Sequence, residues 1–306
     1  MGRYLIGRAG QAFFSIFVIV TFVFALVRLT GDPATMYVDD FAPLEVQERV
    51  RERLGLDKPV FEQYGSYIVG LATLDLGESF TGRPVLEILL ERLPATVSLA
   101  VAALGLTLLI GVPLGVLAAV YRNSPTDTAA RAVAMLGQSV PSFWLAIMLV
   151  LAFAVVLPLF PVAFRSGPSS YVLPAIAMAG VAVAGVVRLI RSSMLDVLDS
   201  DYVRMARAKG LPTRSIIFKY ALRSALIPVI TYTSLLLANF LNGSVVVESV
   251  FAWPGVGTMV LDAVSIRDFP VVQGAVIMIA FIFITINLIV DVAYAVLDPR
   301  IRYRQP

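Results

Sequence analysis

The feature that most constrains this chain is a series of apolar runs, several near or above the roughly 18 to 20 residues that carry a helix across a bilayer. "AFFSIFVIVTFVFALV", near the N-terminus, is the first. Backbone in hydrocarbon must satisfy its own N–H and C=O groups, and runs of this length do so as helices. The expected fold class is therefore an all-α integral membrane protein. Composition agrees, since 58% of the 306 residues are hydrophobic and 15% are charged, against about a quarter charged in soluble domains.

Six spans follow from the pattern, at roughly 9–30, 95–121, 133–157, 172–190, 225–247 and 272–297. The second begins just after Pro94, and the fourth carries Pro174 in its first turn. No small-x-small site precedes "GDPA", so the first span is read as retained and not as a cleaved signal. With the N-terminus inside, Arg3, Arg8, Arg122, Arg131, the cluster at 188–223, Arg300, Arg302 and Arg304 are cytoplasmic, while the short outer loops carry Arg165 and Arg267. That asymmetry sets both termini in the cytoplasm. The organisation is then a first helix at 1–30, an acidic extracytoplasmic loop at 31–94, and a five-helix core at 95–306 with a cytoplasmic loop at about 191–224. An amphipathic helix is expected around 43–54 in the outer loop.

The chain has no cysteine and no histidine, which excludes a disulfide framework, a Cys/His zinc site and any His-based triad or relay. A P-loop needs Gly immediately before its Lys. Here Lys58, Lys209 and Lys219 follow Asp57, Ala208 and Phe218. No cofactor is expected on the chain itself. Sidedness accounts for the basic charge, so nucleic acid is not an expected partner.

The longest cytoplasmic loop reads "DYVRMARAKGLPTRSIIFKYALRSALIP" from 201 to 228. Leu195, Leu198, Tyr202 and Met205 form an apolar stripe at helical spacing. Gly210 stops that helix, Leu211-Pro212 cannot extend it, and Thr213 starts another, with Ile217, Tyr220 and Ala221 on one face. Its cations could anchor on anionic headgroups at about 1 kcal/mol each. The Gly-Leu-Pro break and the small residues Ala206 and Ala208 suit a compact knob gripped by another protein. The residues alone leave both readings open.

"RMARAKGL" resembles the EAA loop of permease subunits in bacterial binding-protein-dependent ABC importers of the type I (MetI-like) fold, most closely the B subunit of dipeptide and oligopeptide importers. Arg204, Met205 and Ala206 occupy the Glu-Ala-Ala positions, and Gly210 matches the motif's glycine. Met205 replaces a small residue, and Arg223 stands where many permeases have a proline. The resemblance runs the whole length: "GDPA", "LGLDKPVFEQY", "DLGESF", "RLPATVSLA", "VPSFWLA", "VVVESVFAWPGVG", "RDFPVVQG" and "LDPRIR" all look like that branch.

It implies that the knob is a coupling helix seated in a groove of a cytoplasmic ATPase. Tyr202, Arg204, Ala206, Arg207, Ala208, Lys209, Gly210 and Leu211 would then form the contact. It also implies a homologous second permease, two ATPase subunits that hold ATP and Mg, an extracytoplasmic binding protein, and a place among the lipids of the bacterial cytoplasmic membrane. Dipeptides, longer peptides, nickel complexes, sugars and opines are all substrates of that branch.

Other residues are candidates for the pathway. Glu248 to Asp268, with Glu248 and Trp253 foremost, would line an external mouth, or else form an interfacial helix anchored by Phe251 and Trp253. Gln138, Ser139, Ser142, Asn239, Asn242 and Asn287 are polar residues within spans, Gln138, Ser139 and Asn242 being the first choices for a translocation path. Hydrogen bonding between helices explains them equally well. Asp291 is expected to pair with a nearby cation, and Arg28 to snorkel or pair with Asp32. The alternatives are a secondary transporter or channel, which calls for intramembrane carboxylates not found at mid-span, a membrane hydrolase, which lacks an intramembrane lysine, and a scaffold.

Overall fold

The computed structural model describes residues 2–30, 43–53, 55–163 and 167–297. Asp32, Asp39, Asp40, Arg165, Arg300, Arg302 and Arg304, with "GDPA" and most of "LDPRIR", lie outside the described residues, as do the side chains of Arg3 and Asp291. Among the described residues the chain is helical, with one isolated antiparallel bridge between Glu78 and Pro84. The elements are α1 (Gly2–Thr30), α2 (Leu44–Arg53), α3 (Val60–Ala72), α4 (Val85–Val120), α5 (Pro125–Ser139), α6 (Ser142–Leu149), α7 (Val172–Leu198), α8 (Asp201–Ala208), α9 (Thr213–Ser215), α10 (Leu222–Val250), α11 (Val256–Ser265) and α12 (Phe269–Leu297). Five helices are long and apolar enough to cross a bilayer, and a sixth span results if the bent pair α5–α6 counts as one.

Three spans differ from expectation for local reasons. The second begins at Val85, not after Pro94, because a proline removes one hydrogen bond without stopping a long apolar helix. The third is broken: α5 and the helix after it meet at 98°. Pro141 disfavours helical backbone at the residue before it, and Val140 is extended, at φ −96 and ψ 124. The fourth continues past 190 to Leu198.

The chain forms two compact units, Ala95–Gly257 and Met1–Pro94 with Thr258–Pro306. The last apolar helix groups with the N-terminal segment. In the first of these units α7 is the hub, with α5, α6 and α10 packed on it. Its run "AIAMAGVAVAGVV" has little side-chain bulk, which lets neighbouring backbones come close. The "GVPLG" of α4 does the same from its side. A Cβ on Gly111 would lie 2.8 Å from Val186, and one on Gly115 2.7 Å from Ile190.

In the other unit α12 packs on α1. Thr21 and Tyr64 hydroxyls meet at 2.7 Å. Arg28 lies 3.6 Å from the centre of the Phe24 ring and donates from Nε to Gln63 Oε1 at 3.1 Å. Buried Asp268 precedes α12 and holds the 75–85 loop. Its Oδ2 accepts from Ser79 Oγ at 2.5 Å and from Phe80 N at 3.3 Å, and its Oδ1 from Val271 N at 3.4 Å. "DLGESF" and "RDFPVVQG", far apart in sequence, are therefore two halves of one joint.

Candidate functional site

The knob is built as the sequence pattern requires, with one difference in its apolar face. α8 ends at Ala208, and Gly210 takes a left-handed φ of 74. Leu211 N donates to Ala206 O at 3.2 Å and Gly210 N to Arg207 O at 2.9 Å. This double reverse bond is the Schellman motif, in which a residue in left-handed conformation satisfies the last carbonyls of a helix. Leu211, just beyond, packs on Val203, Ala206 and Ile216. Pro212 then prevents continuation, and α9 begins at Thr213. A widened turn over Ile216–Ala221, with Leu222 N bonded to Ile217 O, leads into α10.

The predicted stripe does not form one face. Leu195 and Leu198 belong to α7, which ends before the knob, and Tyr202 and Met205 are exposed. The break at Asp199-Ser200 resets the helical phase, so Val203 and Ala206 face inward instead. Of the residues expected at an ATPase contact, Tyr202, Arg204, Arg207, Ala208, Lys209 and Gly210 are exposed. Ala206 is 6% exposed and belongs to the knob's core, and Leu211 is half-buried against it.

Polar contacts tie the base of the knob to α7 and to the turn after α4. Arg204 Nη2 donates to Asp199 O at 3.0 Å, while Arg122 Nη1 lies 3.2 Å from the Asp199 carboxylate. Tyr202 OH reaches Ser224 Oγ at 3.3 Å. Below this, Asp127 is 0% exposed and grips Arg191 with both oxygens, each bond 2.8 Å. Arg131 stands 3.1 Å from the same carboxylate, and Asn123 N donates to it at 3.0 Å. Sequence reasoning missed Asp127. The available signal was "SPTD", where Ser124 caps α5 by accepting from Asp127 N at 3.3 Å, with Pro125 in the first turn.

The corner between α10 and α11 is an interior lock. Glu248 is 0% exposed and Trp253 1%. Glu248 Oε1 accepts from Thr96 Oγ1 at 2.7 Å and Oε2 from Gly257 N at 2.8 Å, while Thr96 Oγ1 accepts from Val256 N at 2.8 Å. Trp253 Nε1 donates to Ala95 O at 3.0 Å, and its ring meets Tyr171 edge-on at 4.6 Å. A Cβ on Gly257 would fall 2.6 Å from the Val245 backbone, so glycine is needed for this approach. The expected lining of a mouth by Glu248 and Trp253 is replaced by burial, because "RLPATVSLA" and "ESVFAWPGVG" close on each other here.

Gln138 and Ser139 end α5 on an exposed face. Gln138 Oε1 accepts from Arg188 Nη1 at 2.6 Å, and Ser139 Oγ donates to Met135 O at 2.9 Å. Asn239 and Asn242 are exposed on α10, Ser142 is half-buried, and Asn287 Nδ2 bonds Phe283 O in its own helix at 2.9 Å. No group of three or more Asp or Glu residues that could hold a metal occurs among the described residues.

Comparison with known proteins places this architecture. Residues 111–303 match the family described as "Binding-protein-dependent transport system inner membrane component", and residues 1–100 match the corresponding N-terminal family. A putative peptide transport system permease protein of Brucella abortus (strain 2308) is 41% identical over 313 residues, covering 99% of this chain and 100% of the relative. The glutathione transport system permease protein GsiC of Escherichia coli (strain K12) is 37% identical over 306 residues, covering 99% and 100%. Among solved structures, the inward-facing MetNI methionine ABC transporter superposes with a TM-score of 0.58 at 16% identity, covering 70% of this chain and 97% of that one. The crystal structure of an amino acid ABC transporter with histidines gives 0.51 at 15% identity, covering 67% and 92%. The type I permease fold is thus shared. The chain belongs to the family of binding-protein-dependent transport system inner membrane components, and it is a multi-pass permease subunit of an ABC importer.

Proposed function

We propose that this permease subunit carries peptides or a similar small solute inward across the bacterial cytoplasmic membrane, with both termini in the cytoplasm. It works with a homologous second permease, two ATPase subunits that hold ATP and Mg, and an extracytoplasmic binding protein. Relatives named for peptide and glutathione transport support the substrate class. The charge asymmetry supports the orientation.

The observation that carries the reading is the knob: a short helix closed by a Schellman turn, apolar inside, with Arg204, Met205, Arg207 and Lys209 outside. A lipid anchor would place its apolar side chains toward the membrane. Here Val203, Ala206 and Ile216 pack into the knob's own core, and the outer face carries Arg204, Arg207 and Lys209 around Met205, a mixed charged and apolar surface suited to a protein groove. Closure of the ATPases moves that tip, and the permease responds because its two states contact the ATPase differently. The exposed Gln138 and Ser139 of α5 and Asn239 and Asn242 of α10 then face the second permease or a wet route.

The test is extraction from the native membrane by a tag on this chain, with identification of co-purifying proteins and assay of ATP hydrolysis. The expected result is a P-loop ATPase and a second multispanning subunit. Recovery of the chain alone, under conditions where other membrane complexes survive, would contradict the proposal.

A further inference from the structure

We propose that Asp127 is a positioning residue of the transport cycle, joining α5 to the knob-bearing end of α7 so that the two move as one body. The inference rests on the coupling role given to the knob and goes further, by naming the element that carries its motion inward.

The turn between α4 and α5 holds the end of α7 at two points. Arg122 reaches Asp199, whose carbonyl accepts from Arg204 of the knob. In the first turn of α5, Asp127 takes Arg191 in a bidentate pair, the geometry that fixes both distance and orientation. Asp127 has no exposure, and the Arg191 side chain is 22% exposed. Arg191 without Asp127 would lose its bidentate partner, whereas Asp127 without Arg191 would keep Arg131 and the Asn123 N–H.

Between these two bonds and the break at Val140-Pro141, α5 is a continuous helix packed along α7. Its far end carries Gln138 and Ser139, and Gln138 is held to α7 once more by Arg188. A helix fastened at its base to the knob-bearing end of α7 and bearing exposed polar groups at its tip is a strut. Displacement of the knob therefore reaches the Gln138–Ser139 elbow without bending in between.

The experiment uses the full complex in proteoliposomes, with the wild type and Asp127→Asn compared. It reads ATPase content, substrate imported per ATP hydrolysed, and a spin-label distance between Ala132→Cys on α5 and Arg214→Cys beside the knob. This chain brings no cysteine of its own, and partner cysteines are replaced. In the wild type the distance is expected to stay constant between nucleotide-free and ATP-trapped states. In Asp127→Asn it should change between them, ATPase content should be retained, and import per ATP should fall about fivefold or more.

A wild-type distance that differs between the states, or an Asp127→Asn ratio within about twofold of wild type, would overturn the proposal. Should Asp127→Asn give no complex, Arg122→Gln cuts the exposed bond instead. The wild-type distance and the Arg122→Gln ratio then decide on the same terms. Absence of ATPase from the wild-type complex is a separate result, against the docking role itself.

Discussion

The knob and the α10–α11 corner turn the chain by the same backbone device and use it for opposite ends. At the knob, Gly210 takes the left-handed position, and Leu211 N and Gly210 N reach back to Ala206 O and Arg207 O. At the α10–α11 corner Ala252, at φ 45, stands in that position, and Trp253 N and Ala252 N reach back to Glu248 O and Ser249 O. The knob buries three small or medium apolar side chains and presents its cations outward. The corner buries an indole and a carboxylate and closes around both. The turn is common, and what surrounds it decides whether the chain offers a surface or locks an interior.

The comparison can be broken most severely at Glu248. Glu248→Ala strands the Gly257 N–H and the Thr96 hydroxyl and opens a cavity, at a cost of about 3 to 5 kcal/mol, read as a lower thermal midpoint in detergent. Gly257→Ala acts on the same lock by pushing a methyl group against the Val245 backbone. About 2 kcal/mol is expected, measured in the same melt. At the knob, Gly210→Ala forces a side chain into left-handed backbone and costs about 1 kcal/mol. Protease sensitivity between α8 and α9 should report that loss before the global melt does.

Ala252→Gly tests the shared geometry with the opposite sign. Relief of left-handed alanine outweighs the added chain entropy, and a gain of about 0.5 kcal/mol is expected. Met205→Glu, on the exposed side of α8, should move stability by no more than about 0.5 kcal/mol while reducing ATPase recovery. A loss of stability as large as that from Gly257→Ala would mean that Met205 packs inside the knob.

Much of this was legible in the sequence. The apolar runs, the stop at Gly210 and the restart at Thr213 follow from local chemistry, and local chemistry reads well in one dimension. The phase of the apolar face did not, because Asp199-Ser200 interrupts the period and a stripe counted across the break puts Tyr202 and Met205 on the wrong side. Proline was misjudged in both directions: Pro94 sits inside α4, while Pro141 breaks the third span. Each proline imposes the same local restriction, and tertiary packing determines whether the helix absorbs it.

The pairings across the chain were the least legible. Glu248 with Thr96, Asp268 with Ser79, and Asp127 with Arg191 are each invisible from either partner alone. Glu248 read as a residue lining a mouth because an acid in an apolar sequence points to a wet surface. Gly257 and Thr96 instead supply the close approach and the two donors that allow its burial.

The most direct test of the central claim is site-directed photocrosslinking from the two corners. The wild-type chain contains no cysteine, so a single probe can be placed at Arg207→Cys on the knob or at Ala252→Cys on the α10–α11 corner, both exposed positions. The Arg207 probe is expected to capture a P-loop ATPase in the native membrane, and the Ala252 probe is expected to capture none. Capture of lipid alone from Arg207, or of the same ATPase from both positions, would contradict it.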